Sequence, residues 1–160
     1  KVPFLGICLG MQCAVIEFAR HVIGWDDAHT VEISPESKRP VISLMQDQKN
    51  ISEKGGTMRL GAYKCELKSD TKIYDAYNRE VINERHRHRF EFNSEYLADF
   101  EQHGMIATGK NPETGLVEVV ELEDHPWFVG VQFHPEYKST VAEPHALFMA
   151  FINAAMNEKK

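Results

Sequence analysis

The pentapeptide Gly6-Ile7-Cys8-Leu9-Gly10 lies where one hydrophobic pattern gives way to another. Before it, Val2 to Ile7 forms a short apolar run, which is typical of a buried strand. After it, apolar residues from Met11 to Ile23 recur at three-and-four spacing, which predicts a helix ended by Gly24. The pentapeptide therefore has the form of a nucleophile elbow, a tight turn from strand to helix, with cysteine in place of serine.

The position of Cys8 predicts a reactive thiol. A thiol at a helix N-terminus lies near the positive end of the helix dipole, which favours the thiolate over its ordinary pKa of about 8.5. Glycines on both sides suit a nucleophile whose own backbone is strained and whose neighbours pack closely against the strand and the helix. The alternative is a cysteine buried only for packing, and we assign that role to Cys13 and Cys65, which lack flanking glycines.

Composition describes one globular domain and excludes several classes of protein. The chain has 160 residues, 42% of them hydrophobic and 26% charged. A formal net charge of −6 without a basic tail argues against a nucleic-acid partner. Three irregularly spaced cysteines favour a reducing, cytoplasmic compartment over a disulfide framework. No apolar run approaches the roughly 18 residues of a membrane span, so we expect no membrane partner.

The rest of the chain mixes strand and helix patterns, which predicts a layered α/β fold with a mainly parallel central sheet. The predicted elements are a strand around Cys65, a helix over Ser94 to His103, a hairpin of Met105 to Gly109 with Leu116 to Leu122, a strand over Trp127 to Phe133 and a helix over Pro144 to Met156. The predicted loops are Asp26 to Glu32 and Gln46 to Gly56.

A cysteine nucleophile needs a base, and His134-Pro135-Glu136 offers one together with a group to orient it. In an extended segment residues two apart point the same way, so Glu136 is expected to hold the imidazole of His134. The alternative is a surface turn at the end of a strand. Because His134-Pro135-Glu136 follows an apolar strand, in a chain that also contains an elbow, we favour the catalytic interpretation.

The segments "GICLGMQ" and "FHPE" together resemble the class I glutamine amidotransferases, which use a Cys-His-Glu triad on a three-layer, Rossmann-like α/β domain. "GGTMRLG" (Gly55 to Gly61) and "ERHRHRFE" (Glu84 to Glu91) are similar to signature segments of the CTP synthase branch, and the similarity continues through "HPWFVGVQFHPE". The resemblance implies that residues 1–160 are the C-terminal portion of an amidotransferase domain, without the upstream strands and the synthetase domain.

That resemblance implies roles for seven residues. Cys8, His134 and Glu136 would be catalytic, and the backbone N–H of Leu9 would contribute to the oxyanion hole. Arg89 would bind the α-carboxylate of L-glutamine, Glu32 its α-ammonium group, and Gln12 the bound substrate. Glu32 stands in "TVEISP", where the family more often has "STEF".

The resemblance also implies partners outside this segment. Ammonia would pass to a synthetase domain of the same polypeptide, which uses ATP and Mg²⁺ to aminate UTP to CTP. The full-length enzyme would be a homo-oligomer in the cytoplasm. The 160 residues contain no G-x-x-x-x-G-K-[ST] loop, so we expect no cofactor in this segment.

The run Arg85 to Arg89 alternates arginine with histidine. In an extended backbone Arg85, Arg87 and Arg89 would share one face, which suits an anionic partner such as a carboxylate. Salt bridges with Glu84 and Glu91 at a subunit interface, or simple solvation, are alternatives for Arg85 and Arg87. His86 and His88 have the H-x-H spacing that metal sites also use. No Asp, Glu or His cluster with complementary spacing completes such a site, so we expect no metal.

Other functions fit parts of the same pattern. Another class I amidotransferase, or a γ-glutamyl hydrolase or cysteine peptidase-like enzyme of the same fold, would share the elbow and His-Pro-Glu. The least favoured alternative is a non-enzymatic regulatory domain that uses the basic strand to bind phosphate or nucleic acid, for which salt-sensitive binding without thiol-dependent activity is expected.

Overall fold

A computed structural model of the chain describes residues 1–44 and 58–157. The predicted loop over Gln46 to Gly56 and the first three residues of "GGTMRLG" lie outside the described residues.

Nine strands and four helices make up the described chain. The strands are β1 (Phe4–Ile7), β2 (Ala28–Thr30), β3 (Arg39–Leu44), β4 (Arg59–Leu67), β5 (Val81–His88), β6 (Phe90–Phe92), β7 (Met105–Lys110), β8 (Val117–Leu122) and β9 (Phe128–Val131). The helices are α1 (Leu9–His21), α2 (Lys72–Tyr77), α3 (Leu97–Gln102) and α4 (Ala146–Asn157), with 3₁₀ turns at Ser94–Tyr96 and Pro135–Lys138.

Two sheets organise these strands. The larger has the order β1-β9-β8-β7-β4-β5, and the smaller has the order β2-β3-β6. In the larger sheet β1 and β9 are parallel, whereas its other described neighbours run antiparallel. The expected mainly parallel sheet is therefore wrong for the described strands. Short connections without a helix join β7 to β8 and β8 to β9, which favours antiparallel pairing of these strands.

The larger sheet has a helical layer on each face, as expected of a three-layer α/β domain. Phe18 of α1 and Phe100 of α3 belong to one apolar core, and Ile73 of α2 and Leu147 of α4 belong to another. Val119 and Val120 of β8 are adjacent in sequence and point into opposite cores. The α/β fold class predicted from the sequence is confirmed.

Several elements differ in detail from the predictions. The first helix begins at Leu9, directly after Cys8, rather than at Met11. A short strand, β2, occupies part of the predicted loop over Asp26 to Glu32, because Ala28 and Thr30 are buried against β3. Cys65 is buried as expected, but Cys13 is exposed and lines a surface groove, so its assignment to the core is wrong.

Strand β1 lies at the edge of the larger sheet in the described chain. Beside it runs an apolar groove whose walls include Phe4, Ala14, Phe18, Met105 and Phe128. Apolar side chains beside β1 are thus left uncovered in the described part of the chain. Among the described residues no helix is both long enough and apolar enough to cross a membrane.

Gly6 allows the strand and the helix of the elbow to approach closely. A Cβ on Gly6 would lie 2.9 Å from backbone atoms of Gly10 and Met11, closer than carbon atoms tolerate. Gly10 differs, because a Cβ there would meet no described atom within 4 Å. The need for close packing therefore applies to Gly6 and not, within the described chain, to Gly10.

We expect Gly6→Ala to lower the free energy of unfolding by about 1–3 kcal/mol, because backbone must shift to admit the methyl group. Gly10→Ala is the matched control. It lies in the first turn of α1, and alanine there should be neutral or stabilising by up to about 1 kcal/mol. Chemical denaturation of both variants and the parent measures the difference. Equal stability of the two variants would contradict the packing argument.

Candidate active site

Cys8 adopts the strained backbone of an elbow. Its φ is 50° and its ψ is −104°, a conformation that residues with a side chain rarely take. Its N–H donates to Val131 O at 2.7 Å, and its carbonyl accepts from Gln12 N–H at 3.2 Å. Backbone partners on both sides thus hold the turn that presents the thiol.

The parallel pairing of β1 with β9 brings the second half of the site to Cys8. Ile7 is the register partner of Val131, and His134 follows three residues later. Nδ1 of His134 lies 2.5 Å from Oε1 of Glu136, so the predicted contact between them is confirmed. The extended geometry predicted for them is wrong, because Glu136 lies in a 3₁₀ turn. Tyr137, which the sequence analysis did not single out, stacks on the imidazole of His134 at 5.1 Å between ring centres.

The second imidazole nitrogen of His134 is available for chemistry. His134 Nε2 is buried and makes no hydrogen bond to Cys8 or to any other described residue. Because Nδ1 is engaged by Glu136, a neutral imidazole with its proton on Nδ1 presents an acceptor at Nε2. The pairing of this nitrogen with the thiol stays a prediction, since catalytic contacts are often loose before substrate binds.

The surroundings of Cys8 raise the pKa of its thiol. Burial is the largest cause, and the charges of Glu136 and Glu32 add to it. Hydrogen bonds from the Leu9 N–H and the Gln132 side chain oppose the shift without cancelling it. The expected thiolate-favouring position is therefore wrong for the free protein, because loss of solvation outweighs the donors at the start of α1.

Gln132 is a site residue that the sequence analysis missed. Its Nε2 lies 3.5 Å from the sulfur of Cys8, and its Oε1 accepts a hydrogen bond from Gln12 Nε2 at 3.1 Å. Gln12 Nε2 also donates to Phe90 O at 2.8 Å. Its signal in the sequence is a glutamine directly after the apolar run "FVGV". A polar side chain at such a buried position normally has hydrogen-bond partners, so its presence points to a specific contact.

The residues assigned to substrate binding occupy different environments. Glu32 is exposed just after β2, Leu9 is the exposed first residue of α1, and Gln12 is buried. Arg89 lies in the bend between β5 and β6, half-buried, with a buried Nε that has no hydrogen-bond partner among the described residues. Their roles toward substrate stay predictions.

The arginine–histidine alternation is confirmed along β5 itself. Arg85 and Arg87 are exposed, and His86 and His88 are buried. Arg89 does not continue the arginine face, because the strand ends at His88. For Arg85 and Arg87, salt bridges to Glu84 and Glu91 at a subunit interface stay a prediction. Both glutamates are buried, Glu84 beside Lys138 and His145 and Glu91 beside Arg59.

A buried ion cluster, which we define as Arg59, Glu91, Glu118, His86 and His88, lies behind the site. Arg59 donates to Glu118 at 2.6 Å and approaches Glu91 at 3.3 Å. His88 Nδ1 lies 3.2 Å from Phe90 O, and its Nε2 lies 2.8 Å from His86 Nδ1. Since a carbonyl only accepts, His88 carries its proton on Nδ1 and His86 donates from Nδ1.

Burial dominates the protonation of the ion cluster. It lowers the pKa of His86 to about 2 and of His88 to about 3, helped by the positive charge of Arg59. It raises the pKa of Glu91 to about 7 and raises that of Glu118. Within the described ranges no group of three or more His, Cys, Asp or Glu side chains is arranged to hold a metal ion.

Comparisons with known proteins identify proteins that are similar to this chain. A family profile described as "Glutamine amidotransferase class-I" matches residues 1–154. The chain is 61% identical over all of its length to a CTP synthase of Clostridium acetobutylicum, and 60% identical over 99% of its length to one of Flavobacterium psychrophilum. The chain spans about 30% of the length of each of these proteins.

Solved structures agree with the fold. The CTP synthase glutaminase domain of Trypanosoma brucei, solved with bound acivicin, superposes with a TM-score of 0.90 and 35% identity. The match covers 97% of this chain and 60% of that one. A GMP synthase component of Thermoplasma acidophilum, at 18% identity and a TM-score of 0.62, shares the fold.

The lowered pKa of His88 predicts a pH-dependent contribution to stability. Between pH 3 and 6.5 the imidazole of His88 is protonated in the unfolded chain and neutral in the folded chain. The free energy of unfolding therefore falls as the pH drops below 6.5. We expect His88→Gln to remove that loss. The stability of the parent relative to the variant should fall by about 1 kcal/mol per pH unit between pH 6 and 5. Urea denaturation at several pH values measures it, and parallel pH profiles would contradict it.

Proposed function

Because this chain belongs to the class I glutamine amidotransferase family, we propose that it hydrolyses the side-chain amide of L-glutamine with Cys8, His134 and Glu136 as catalytic triad. The observation that carries the proposal is the strained elbow at Cys8, joined by β1–β9 pairing to a His134–Glu136 contact of 2.5 Å. A nucleophile, a base and an orienting carboxylate are the parts that acyl transfer through a thioester requires.

The raised pKa of Cys8 assigns a task to His134. At neutral pH the thiol keeps its proton, so Nε2 of His134 takes that proton as sulfur attacks the amide carbon. Glu136 accepts from Nδ1–H and stabilises the imidazolium. The Leu9 N–H helps to hold the oxyanion of the tetrahedral intermediate.

Collapse of that intermediate breaks the carbon–nitrogen bond. His134 returns the proton to the leaving nitrogen, which departs as ammonia, and the glutamyl group remains on sulfur as a thioester. Water then attacks the thioester with His134 as base, which gives glutamate and restores the Cys8 thiol.

For substrate recognition we propose Arg89 at the α-carboxylate, Glu32 at the α-ammonium group and Gln12 near the bound substrate. The buried Nε of Arg89, which lacks a partner among the described residues, suits a charged acceptor. Glu32 already acts on the thiol through its negative charge. A substrate ammonium beside Glu32 would offset that charge, so substrate binding and thiol ionisation would favour each other.

For the longer protein we propose ammonia transfer to a synthetase domain of the same polypeptide, where ATP and Mg²⁺ support amination of UTP to CTP. The similarity to CTP synthases over the whole chain supports this proposal. The remaining part of the amidotransferase domain would cover the edge strand β1, and the enzyme would act as a cytoplasmic homo-oligomer. A γ-glutamyl hydrolase of the same fold would release free ammonia or peptide without dependence on UTP.

Cys8 should be the thiol that a glutamine-analogue electrophile labels. Cys8→Ser should abolish ammonia release from glutamine, because hydroxyl cannot replace the more acidic thiol. Cys13→Ser is the control, since Cys13 is exposed and outside the triad. Mass spectrometry of the labelled protein and an ammonia assay measure the two effects. Equal labelling of Cys8, Cys13 and Cys65 would contradict the assignment.

Arg89→Ala should lower kcat/KM for glutamine tenfold or more, because a charge-assisted hydrogen bond contributes about 1.5–3 kcal/mol. Arg85→Ala and Arg87→Ala are matched controls on exposed positions of β5 and should have smaller effects. Steady-state glutaminase kinetics of the three variants test the assignment. Normal glutamine kinetics in Arg89→Ala would rule it out.

A further inference from the structure

The geometry points to Gln132 as a catalytic hydrogen-bond donor to the sulfur of Cys8, oriented for that task by Gln12. Its Nε2 lies 3.5 Å from Sγ, within the reach of an N–H donor to sulfur. The inference rests on the proposed function in one respect, because it takes Cys8 as the nucleophile.

The orientation of the Gln132 amide follows from its neighbours. Gln12 Nε2 lies 2.8 Å from Phe90 O, and a carbonyl oxygen only accepts hydrogen bonds. The Gln12 amide must therefore present its NH₂ group there, and the second hydrogen of that group meets Gln132 Oε1 at 3.1 Å. With its oxygen so engaged, Gln132 turns its own NH₂ group toward Cys8. A flipped Gln12 would place two oxygens against each other.

Gln132 is also fixed as a whole. Its side chain is fully buried, and its backbone N–H donates to Glu118 O at 2.8 Å. The side chain of Glu118 is in turn held by Arg59 at 2.6 Å. The residue before Gln132, Val131, accepts the Cys8 N–H at 2.7 Å. Donor and nucleophile therefore belong to one rigid junction between β1 and β9, as a preorganised site requires.

The chemical consequence concerns the charge on sulfur. When the Cys8 proton moves to the imidazole of His134, sulfur becomes an anion, and a hydrogen bond to an anion is about twice as strong as one to a neutral atom. Gln132 thus stabilises the thiolate more than the thiol, without gaining or losing a proton itself. The same bond favours sulfur again when it leaves the thioester.

The charged groups near Cys8 make this donor necessary. Glu136, in the turn after β9, and Glu32, after β2, both disfavour a negative sulfur, and burial does so more strongly. The opposing groups are the Leu9 N–H at the start of α1 and the Gln132 amide. Of these two only Gln132 is a side chain, so it is the one that substitution can remove.

Gln132→Met keeps the length and burial of the side chain and removes the donor. We test it in the full-length protein that the gene encodes, on a Cys13→Ser background, and follow iodoacetamide alkylation by mass spectrometry of the peptide that contains Cys8. The midpoint of the pH dependence of Cys8 alkylation should rise by about one pH unit, and alkylation at pH 7 should slow about tenfold. The loss of the donor should lower kcat about tenfold. Because Gln132 is fully buried, KM for glutamine should change less than about twofold.

Two further variants separate a donor from a packing role. Gln132→Glu is isosteric, and its carboxylate, once ionised at the alkaline pH of the alkylation midpoint, should raise that midpoint more than methionine does. Gln12→Met frees the Gln132 amide to rotate, so it should raise the midpoint by part of the same shift. The double variant Gln12→Met/Gln132→Met should raise it no further than Gln132→Met alone.

An unchanged alkylation midpoint in folded Gln132→Met and Gln132→Glu would overturn the inference, even if kcat fell. The proposed function fails by a different result, namely a parent protein whose Cys8 is alkylated but which releases no ammonia from glutamine. Thermal melting checks that each variant is folded. If Gln132→Met does not fold, the Gln12→Met profile decides, since an unshifted midpoint there also overturns the proposed orientation of Gln132.

Discussion

The backbone hydrogen bond from Cys8 N–H to Val131 O joins two segments that are far apart in the sequence, and the candidate site depends on it. It extends the parallel register of β1 and β9 by one step, to the residue with φ of 50°. Strained backbone persists only where the surroundings over-determine it. Here the carbonyl of Cys8 is also held by Gln12 N–H, and Gly6 lets helix α1 approach the strand. The same register places His134 on the side of the elbow.

The buried ion cluster supports this junction from behind. Arg59 belongs to β4 in the larger sheet and Glu91 to β6 in the smaller, so their ion pair links the two sheets. Glu118, the other partner of Arg59, accepts the backbone N–H of Gln132. Buried charges are costly unless paired, and loss of one partner typically costs about 3–5 kcal/mol. The position of Gln132 beside the thiol therefore depends on electrostatics that lie outside the triad.

Local patterns predicted the elements well and the buried polar contacts poorly. The elbow, the hairpin β7–β8 and the terminal helix follow from hydrophobic periodicity and glycine, which act over a few residues. The alternation along β5 follows from the two-residue repeat of a strand. The direction of strand pairing, the bend at Arg89 and the ion cluster depend on residues far apart in sequence. Arg59 and Glu118 show no local pattern that links them, so only the folded chain brings them together.

The thiol illustrates why a local electrostatic argument was insufficient. At the start of a helix, donors near Cys8 favour a negative sulfur, and this part of the sequence argument holds for Leu9 N–H. The same turn that creates the helix N-terminus also removes water from the sulfur, and the charges of two carboxylates from other parts of the chain act on it. Desolvation acts on the whole charge, whereas each donor offsets only part of it. A protonated thiol in the free protein is the result, so ionisation of Cys8 must be coupled to a base that accepts its proton.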